Sequence, residues 1–270
     1  MICFRLIKVF ILLLPLNLSA GWVITGRYID RDGRTILKRY FIQDDMIKVE
    51  RYNLIYTCNL NTGSIILVDP ENLVFTKTNL NELTSKVLEI NNVRLEKLFN
   101  VIPEDQKAVY EELYTVQTAA SVALPVDNGD SLSITLVQDS IKMLGHSTLK
   151  YLIMKSGRKK EEFFFTPEVD VSGDLNLSEF LHYQYLIEPE DKTIEYLSAA
   201  KYLDLVKNGL VVRRFIYQDG FRSEWQVNNI ENKSIPEYEL GNPALCKEVT
   251  LEKWLSRTKT NDDKKYDDYE

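Results

Sequence analysis

Leu54-Ile55-Tyr56-Thr57-Cys58-Asn59-Leu60, then Asn61-Thr62-Gly63, then Ser64-Ile65-Ile66-Leu67-Val68 and Asp69-Pro70-Glu71, is the stretch on which the fold turns. Two short runs rich in β-branched and aromatic residues flank a turn that ends in Gly, and a second turn follows at once. Connections this short join antiparallel neighbours, because a parallel crossover needs about a dozen residues or more. Ile65 to Val68 is apolar at every position, which predicts cover on both faces of that strand.

The pattern extends outward. Trp22 to Ile29 leads to Asp32-Gly33, and Thr35 to Ile42 turns at Asp44-Asp45 into Met46 to Tyr52. On the other side, Leu73 to Thr78 closes the run. Asp-Gly between apolar segments is a strong hairpin signal, so this region reads as an antiparallel meander. The period then changes. Leu83, Val87, Ile90 and Leu98 recur at helical spacing. After Pro103-Glu104-Asp105, a good first turn, Val109, Leu113, Val116, Ala120 and Ala123 form one narrow apolar stripe. Pro125 and Asn128-Gly129 end it. A helical pair set between groups of strands buries such a stripe by packing on the sheet.

Strands resume where Leu132, Ile134 and Leu136 alternate with Ser131, Ser133 and Thr135. Thr148 to Met154 and Glu161 to Thr166 follow turns at Gly145-His146 and Ser156-Gly157. Asn176 to Leu186 reads as a helix, and so does a stretch capped by Thr193 that carries Tyr196, Ala199, Leu203 and Val206 on one face. Leu210 to Gln218 and Phe221 to Ile230 form a hairpin across Asp219-Gly220, and Pro236 to Leu240 is expected as an edge segment. Residues 21–255 therefore make a single, mainly β (α+β) domain. Residues 256–270, polar and repetitive, read as a disordered tail.

Arg5 and Lys8, the apolar run Val9-Phe10-Ile11-Leu12-Leu13-Leu14, Pro15 and Leu18-Ser19-Ala20 follow the order of a secretory signal peptide over residues 1–20. The apolar run is too short to span a bilayer as a permanent helix. Leu18 is bulkier than the small residue usual at its position, which leaves the cleaved bond open. Loss of this segment takes the formal charge from −7 to −9 and removes Cys3, leaving Cys58 and Cys246. In an oxidising compartment these two either form one disulfide across a very long loop or stay as separate buried thiols.

Composition narrows the classes further. Hydrophobic residues are 44% of the chain and Gly only 11 of 270, which excludes collagenous, low-complexity and disulfide-scaffold classes. The acidic balance argues against a general nucleic-acid binder, whose affinity rests on Lys and Arg at phosphates. Two His rule out a His-rich metal site. No nucleophile elbow, zinc-protease helix or phosphate-binding glycine loop is present. His146 beside Ser147 reads as a surface turn, and His182 as a packing or rim residue of a helix. Glu161-Glu162 and Asp44-Asp45 are neighbours whose side chains diverge, so neither makes an acid/base pair. Asp170-Val171-Ser172-Gly173-Asp174-Leu175-Asn176, with Glu179 beyond, has oxygens suited to a hard cation. Leu175 replaces the required Gly and Leu181 the bidentate Glu of an EF-hand. The favoured reading is an acidic loop whose Asp174 caps the following helix, and the expectation is no enzyme, no cofactor and no metal.

Ile141-Lys142-Met143-Leu144-Gly145-His146-Ser147-Thr148-Leu149-Lys150-Tyr151-Leu152-Ile153 carries a resemblance. So do Met46-Ile47-Lys48-Val49-Glu50, Gly209-Leu210-Val211-Val212, Trp225-Gln226-Val227, Tyr238-Glu239-Leu240 and Cys246-Lys247-Glu248-Val249-Thr250-Leu251. Together they resemble a family of uncharacterised exported proteins of Gram-negative envelopes. That family is similar in fold to the lipoprotein carrier LolA and its receptor LolB. The resemblance implies an antiparallel curled sheet, an incomplete β-barrel, with helices covering the concave side. No functional residue carries over from it.

A curled sheet under helices leaves an apolar cavity suited to acyl chains. Leu113, Val116 and Ala120 are the lid candidates, and Tyr151, Phe163, Phe164 and Phe165 either line the cavity or fill an ordinary core. The expected function is a periplasmic, non-enzymatic binding protein for a lipid, a lipoprotein acyl chain or another hydrophobic ligand. An extracellular location is the alternative, and membrane contact is transient at most. The competing reading is an envelope component that uses the same scaffold for protein–protein contact.

Overall fold

In a computed structural model of the chain, residues 20–100, 102–104, 106–107, 132–188, 193–218, 220–241 and 243–256 are described. The expected signal peptide, the helical stripe with Leu113, Val116 and Ala120, and almost all of the tail lie outside them.

The first meander is β1 (Gly21–Ile29), β2 (Thr35–Gln43), β3 (Met46–Arg51), β4 (Leu54–Asn59), β5 (Ser64–Asp69) and β6 (Val74–Asn79). Helix α1 (Leu80–Phe99) follows directly. The second meander is β7 (Leu132–Met143), β8 (His146–Lys155), β9 (Arg158–Thr166), β10 (Leu210–Gln218) and β11 (Phe221–Lys233). Between β9 and β10 lie α2 (Leu177–Ile187), α3 (Ile194–Leu197) and α4 (Ala200–Val206). The short α5 (Glu237–Leu240), β12 (Lys247–Glu248) and a helical turn α6 over 251–256 end the described chain.

These strands form one sheet in the order β12-β6-β5-β4-β3-β2-β1-β11-β10-β9-β8-β7. Each meander is paired in sequence order, and the two are joined where β1 runs antiparallel to β11. The one parallel pairing among those described is β12 on β6. The ends, β12 and β7, are not paired with each other, so the sheet is a large, unclosed, antiparallel-dominated surface with α1 to α4 and α6 on one side and the short α5 on the other.

Turn chemistry sets much of this register. Asp44 and Asp45 both have positive φ (53° and 58°), as do Leu144-Gly145 (53° and 86°) and Ser156-Gly157 (50° and 72°). Two-residue hairpins need that handedness to match the twist of their strands, and Gly145 and Gly157 meet it without a Cβ penalty.

The main core lies on the face that carries α1, α2 and α6. Ile24, Ile42, Ile47, Val49, Leu54, Tyr56, Cys58, Ile65 and Leu67 pack there with Leu83 of α1, Phe180, Tyr183 and Leu186 of α2, and Leu251 and Trp254 of α6. On β5, Ile65, Leu67 and Val68 are buried but Ile66 only partly so, which makes cover of its second face incomplete. A smaller cluster of Val23, Phe41, Ile235 and Leu240 closes the outer face near the β1–β2 pairing.

Two local expectations change. Pro236 to Leu240 is not an edge strand. Pro236 sits at the N-cap of α5 with φ −60° and ψ 142°, and Leu240 packs down on the outer face. Proline's fixed φ and missing N–H suit the start of a helical turn better than a ladder. The helix expected from Thr193 is broken into α3 and α4, because Ala199 is extended (φ −64°, ψ 135°).

Of the two readings open for Cys58 and Cys246, the structure has separate thiols. Both residues are free cysteines, Cys58 buried and Cys246 partly exposed. Cys58 pairs with Ile65 and Ile65 with Thr78, whereas Cys246 immediately precedes Lys247, which pairs with Val74. Three strand spacings alone amount to roughly 14 Å. A bridge requires Cα atoms within about 7 Å.

Candidate functional site

A cavity of about 500 Å³ lies between the sheet and the cover α2–α4. Strand alternation decides which side chains reach it. Ile36, Lys38, Tyr40 and Ile42 project inward from β2, each opposite an inward residue of β1: Tyr28, Gly26, Ile24 and Trp22. Arg51 and Ile47 of β3 pair with Lys38 and Ile42. From the second meander come Arg214, Ile216 and Gln218 of β10 and Ser223, Trp225 and Val227 of β11. The cover contributes Leu177, Phe180, Leu181, Gln184 and Glu188, then Leu197, Tyr202 and Val206. Aliphatic and aromatic side chains make up most of the wall and polar or charged ones about a third, among them Lys38, Arg51, Glu188, Lys207 and Arg214, and the cavity volume falls within the roughly 300–1,000 Å³ usual for small-ligand sites. Tyr40 and Trp225 meet edge to face across the seam, with ring centres 5.7 Å apart.

Two carboxylates tie the cover to the sheet. Glu188, at the C-cap of α2, is 2% exposed. It accepts hydrogen bonds from Arg51 Nη1 at 2.7 Å, Tyr56 Oη at 2.8 Å and Lys38 Nζ at 3.4 Å. Burial raises the Glu188 carboxyl, but Lys38, Arg51 and the Tyr56 hydroxyl outweigh it and hold the group below the ordinary glutamate range. Burial, then the charge of Glu188, pushes the Tyr56 phenol well up.

The second carboxylate is Glu161 on β9, fully buried. Arg214 grips it through Nε and Nη2, both at 2.7 Å, and Tyr196 of α3 donates to it at 2.8 Å. A paired guanidinium fork of this kind is the strong form of carboxylate recognition. Burial opposes the Arg214 charge, and Glu161 more than offsets it.

The end of the cavity nearest the β2–β3 turn is closed by the 170–176 loop. Asp45 N donates to the Asp174 carbonyl at 3.0 Å, Asp44 N to the Asp174 carboxylate at 3.4 Å, and Asn176 N to Asp45 Oδ1 at 3.3 Å. The loop's acids are thus spent on backbone N–H groups, and among the described residues no cluster of His, Cys, Asp or Glu is placed to hold a metal. The helix cap is Asn176, whose side chain accepts from Glu179 N at 3.2 Å, and not Asp174 as expected. Asp174 lies two residues too early and serves the neighbouring turn.

The other residues singled out in the sequence divide cleanly. Phe163 and Phe165 sit in a core cluster with Leu181, Tyr196, Leu197, Tyr202 and Val206, and Tyr151 packs against it. Tyr151 stacks on Phe163 at 5.3 Å, and Phe163 meets Tyr202 edge to face at 5.6 Å. Since Tyr202 lines the cavity, these aromatics stand one layer behind the wall. Phe164 faces the other side of the sheet, against Phe215. His146 Nδ1 lies 3.2 Å from Glu168 Oε2, and Ser147 N donates to Glu168 Oε1 at 3.1 Å, away from the cavity.

Lys38, Arg51, Glu188 and Arg214 were not singled out from the sequence, and Glu161 only as a neighbour of Glu162 that makes no acid/base pair with it. One signal was available: Glu161 alternates with Phe163 and Phe165, which places a charge on an apolar face and asks for a buried partner.

No family model matches the chain, and none of the curated proteins matches it. Solved structures give a loose likeness. PNGF-II is similar over 88% of this chain and 32% of its own, at 11% identity and a TM-score of 0.37. A chain of the Pseudomonas aeruginosa MucA/MucB complex is similar over 86% of this chain and 59% of its own, at 9% identity and a TM-score of 0.36. A LolA superfamily protein from Nitrosomonas europaea is similar over 84% of this chain and 92% of its own, at 8% identity and a TM-score of 0.24. The chain therefore spans less than two thirds of the PNGF-II and MucA/MucB chains it resembles. Similarity at this level leaves function to be read from the cavity itself.

Proposed function

We propose that this chain is an exported, non-enzymatic binding protein of the cell envelope that holds a hydrophobic ligand, such as a lipid or a lipoprotein acyl chain, in the cavity under α2–α4. The observation that carries the reading is the cavity: about 500 Å³, walled by Ile24, Ile42, Leu177, Phe180, Trp225 and Val227. Its charged groups are tied to one another, Lys38 and Arg51 to Glu188 and Arg214 to Glu161, which suits holding a ligand rather than transforming it. The signal-peptide pattern of residues 1–20 supports export to the periplasm.

The test is uptake. The mature protein is delipidated, then titrated with cis-parinaric acid while its fluorescence is followed, and the complex is weighed by native mass spectrometry. One bound molecule per chain is expected. A protein that gains neither fluorescence nor mass is not a carrier, and the same scaffold then serves protein–protein contact.

A further inference from the structure

The two ends of the cavity differ in polarity, and that difference points to a ligand class and a direction of entry. At the end formed by the β1–β2 loop, the β3–β4 turn and the β10–β11 turn, the wall carries Lys38, Arg51, Asn53, Glu188, Gln218 and Ser223. Asn53 and Gln218 are exposed, Tyr28 and Ser223 partly so. At the opposite end the wall is Ile42, Ile47, Val171, Leu175 and Phe180, all buried, with Leu177 beside them. Lys207, paired with Asp204, and Ser172 are the polar residues toward that end. Along the β2–β3 pairing the change is stepwise: Lys38 opposite Arg51, then Tyr40 opposite Val49, then Ile42 opposite Ile47.

We infer that the cavity takes a single-tailed amphiphile, with its polar head at the Lys38–Asn53–Gln218–Ser223 end and its tail against the 171–180 segment. This rests on the binding role proposed above and names its ligand class. Volume is compatible with one tail: a sixteen-carbon chain at interior packing density fills on the order of 400 Å³, and the cavity measures about 500 Å³. Polarity supports the direction, since a head group buried among Ile42, Ile47 and Phe180 would lose its hydration without replacement hydrogen bonds. A free fatty acid and an acyl chain attached to a protein share this chemistry.

The delipidated mature protein is irradiated with either of two photoreactive palmitic acids, carrying a diazirine at the chain terminus or next to the carboxyl group. Labelled peptides are then mapped. The terminal probe is expected on peptides containing Ile42, Ile47 or residues 171–180, and the carboxyl-proximal probe on those containing Tyr28, Lys38 or Ser223. Reversed or identical maps overturn the direction while leaving the cavity as a binding site. No labelling by either probe, together with no parinaric acid uptake, overturns the binding role itself.

Competition separates the sources. Displacement of the probe by palmitate alone indicates a free acid, and displacement by a palmitoylated peptide indicates a protein-attached chain. A diacyl phosphatidylglycerol that competes as well as palmitate overturns the single-tail assignment. Leu175→Trp, which shortens the apolar end, is expected to weaken palmitate at least tenfold and to leave laurate within twofold of the parent. Equal loss of both chains in a folded variant overturns placement of the tail there.

Discussion

Glu161 lies on a strand whose inward neighbours are Phe163 and Phe165, and its carboxylate is tolerated only because Arg214 and Tyr196 occupy its lone pairs. A buried ion pair gives little net stability over an apolar pair of the same shape, yet loss of one partner strands a charge. Arg214→Met is therefore expected to lower stability by about 3–5 kcal/mol, and Glu161→Leu with Arg214→Met together to recover most of that loss. Urea unfolding of the parent, the single variant and the double variant measures both quantities. A single variant within 1 kcal/mol or so of the parent would mean that water reaches the carboxylate. Glu162, one residue on, projects to the other face and pairs with Lys150 at 2.9 Å. The divergence of the two neighbouring acids was readable from strand alternation, but the partner was not. Arg214 is 53 residues away, and nothing local announces that it shares the face of Glu161.

At the level of elements, the cover is fastened by the end of α2. Glu188 joins it to three strands through Lys38, Arg51 and Tyr56. Its carboxyl titrates below the ordinary glutamate value in the folded protein, so the charged form is the one that folding favours. The stabilisation is then fully present above about pH 4.3, the unfolded value, and is lost as pH falls through the lower folded value. Glu188→Gln is expected to cost about 3 kcal/mol at pH 7, with the gap to the parent shrinking below pH 4 or so. Thermal melts of both proteins at pH 7 and in the acid range test this, and a gap that stays constant into acid removes Glu188 as the fastening group. The helix itself was readable, because Asn176, the apolar face of Phe180 and Leu181, and the apolar spacing are all local. Its attachment was not, since the contacts span 132 to 150 residues. The cavity wall shares that property: its strands come from both meanders and its roof from the segment between β9 and β10.

Across the whole molecule, two meanders make one surface only because β1 pairs with β11, and that seam has a tight point. Strand limits in the first meander were legible to within a residue, since Asp44-Asp45 and Asn61-Thr62-Gly63 encode their own turns, whereas in the second meander β9 begins at Arg158 and not Glu161, and β11 runs on past Ile230 to Lys233. The seam has no turn and no motif; it joins residues about 200 positions apart, as Arg27 and Gln226 show. Its register shifts between Thr25 and Gly26, where Trp225 lies over the backbone. A Cβ at Gly26 would stand 2.3 Å from the Trp225 ring and 2.7 Å from the Gln226 carbonyl oxygen. The ring can shift only into Tyr40 or the cavity, and the carbonyl is held in the ladder. Gly26→Val should therefore force the two meanders apart, at a cost of about 3 kcal/mol, the upper part of the usual range for overpacking. If the joined sheet is one cooperative unit, far-ultraviolet circular dichroism and tryptophan fluorescence will report a single, earlier urea transition in this variant. Two separated transitions would show that each meander folds by itself and that the seam, with the cavity spanning it, is a docking contact between two units.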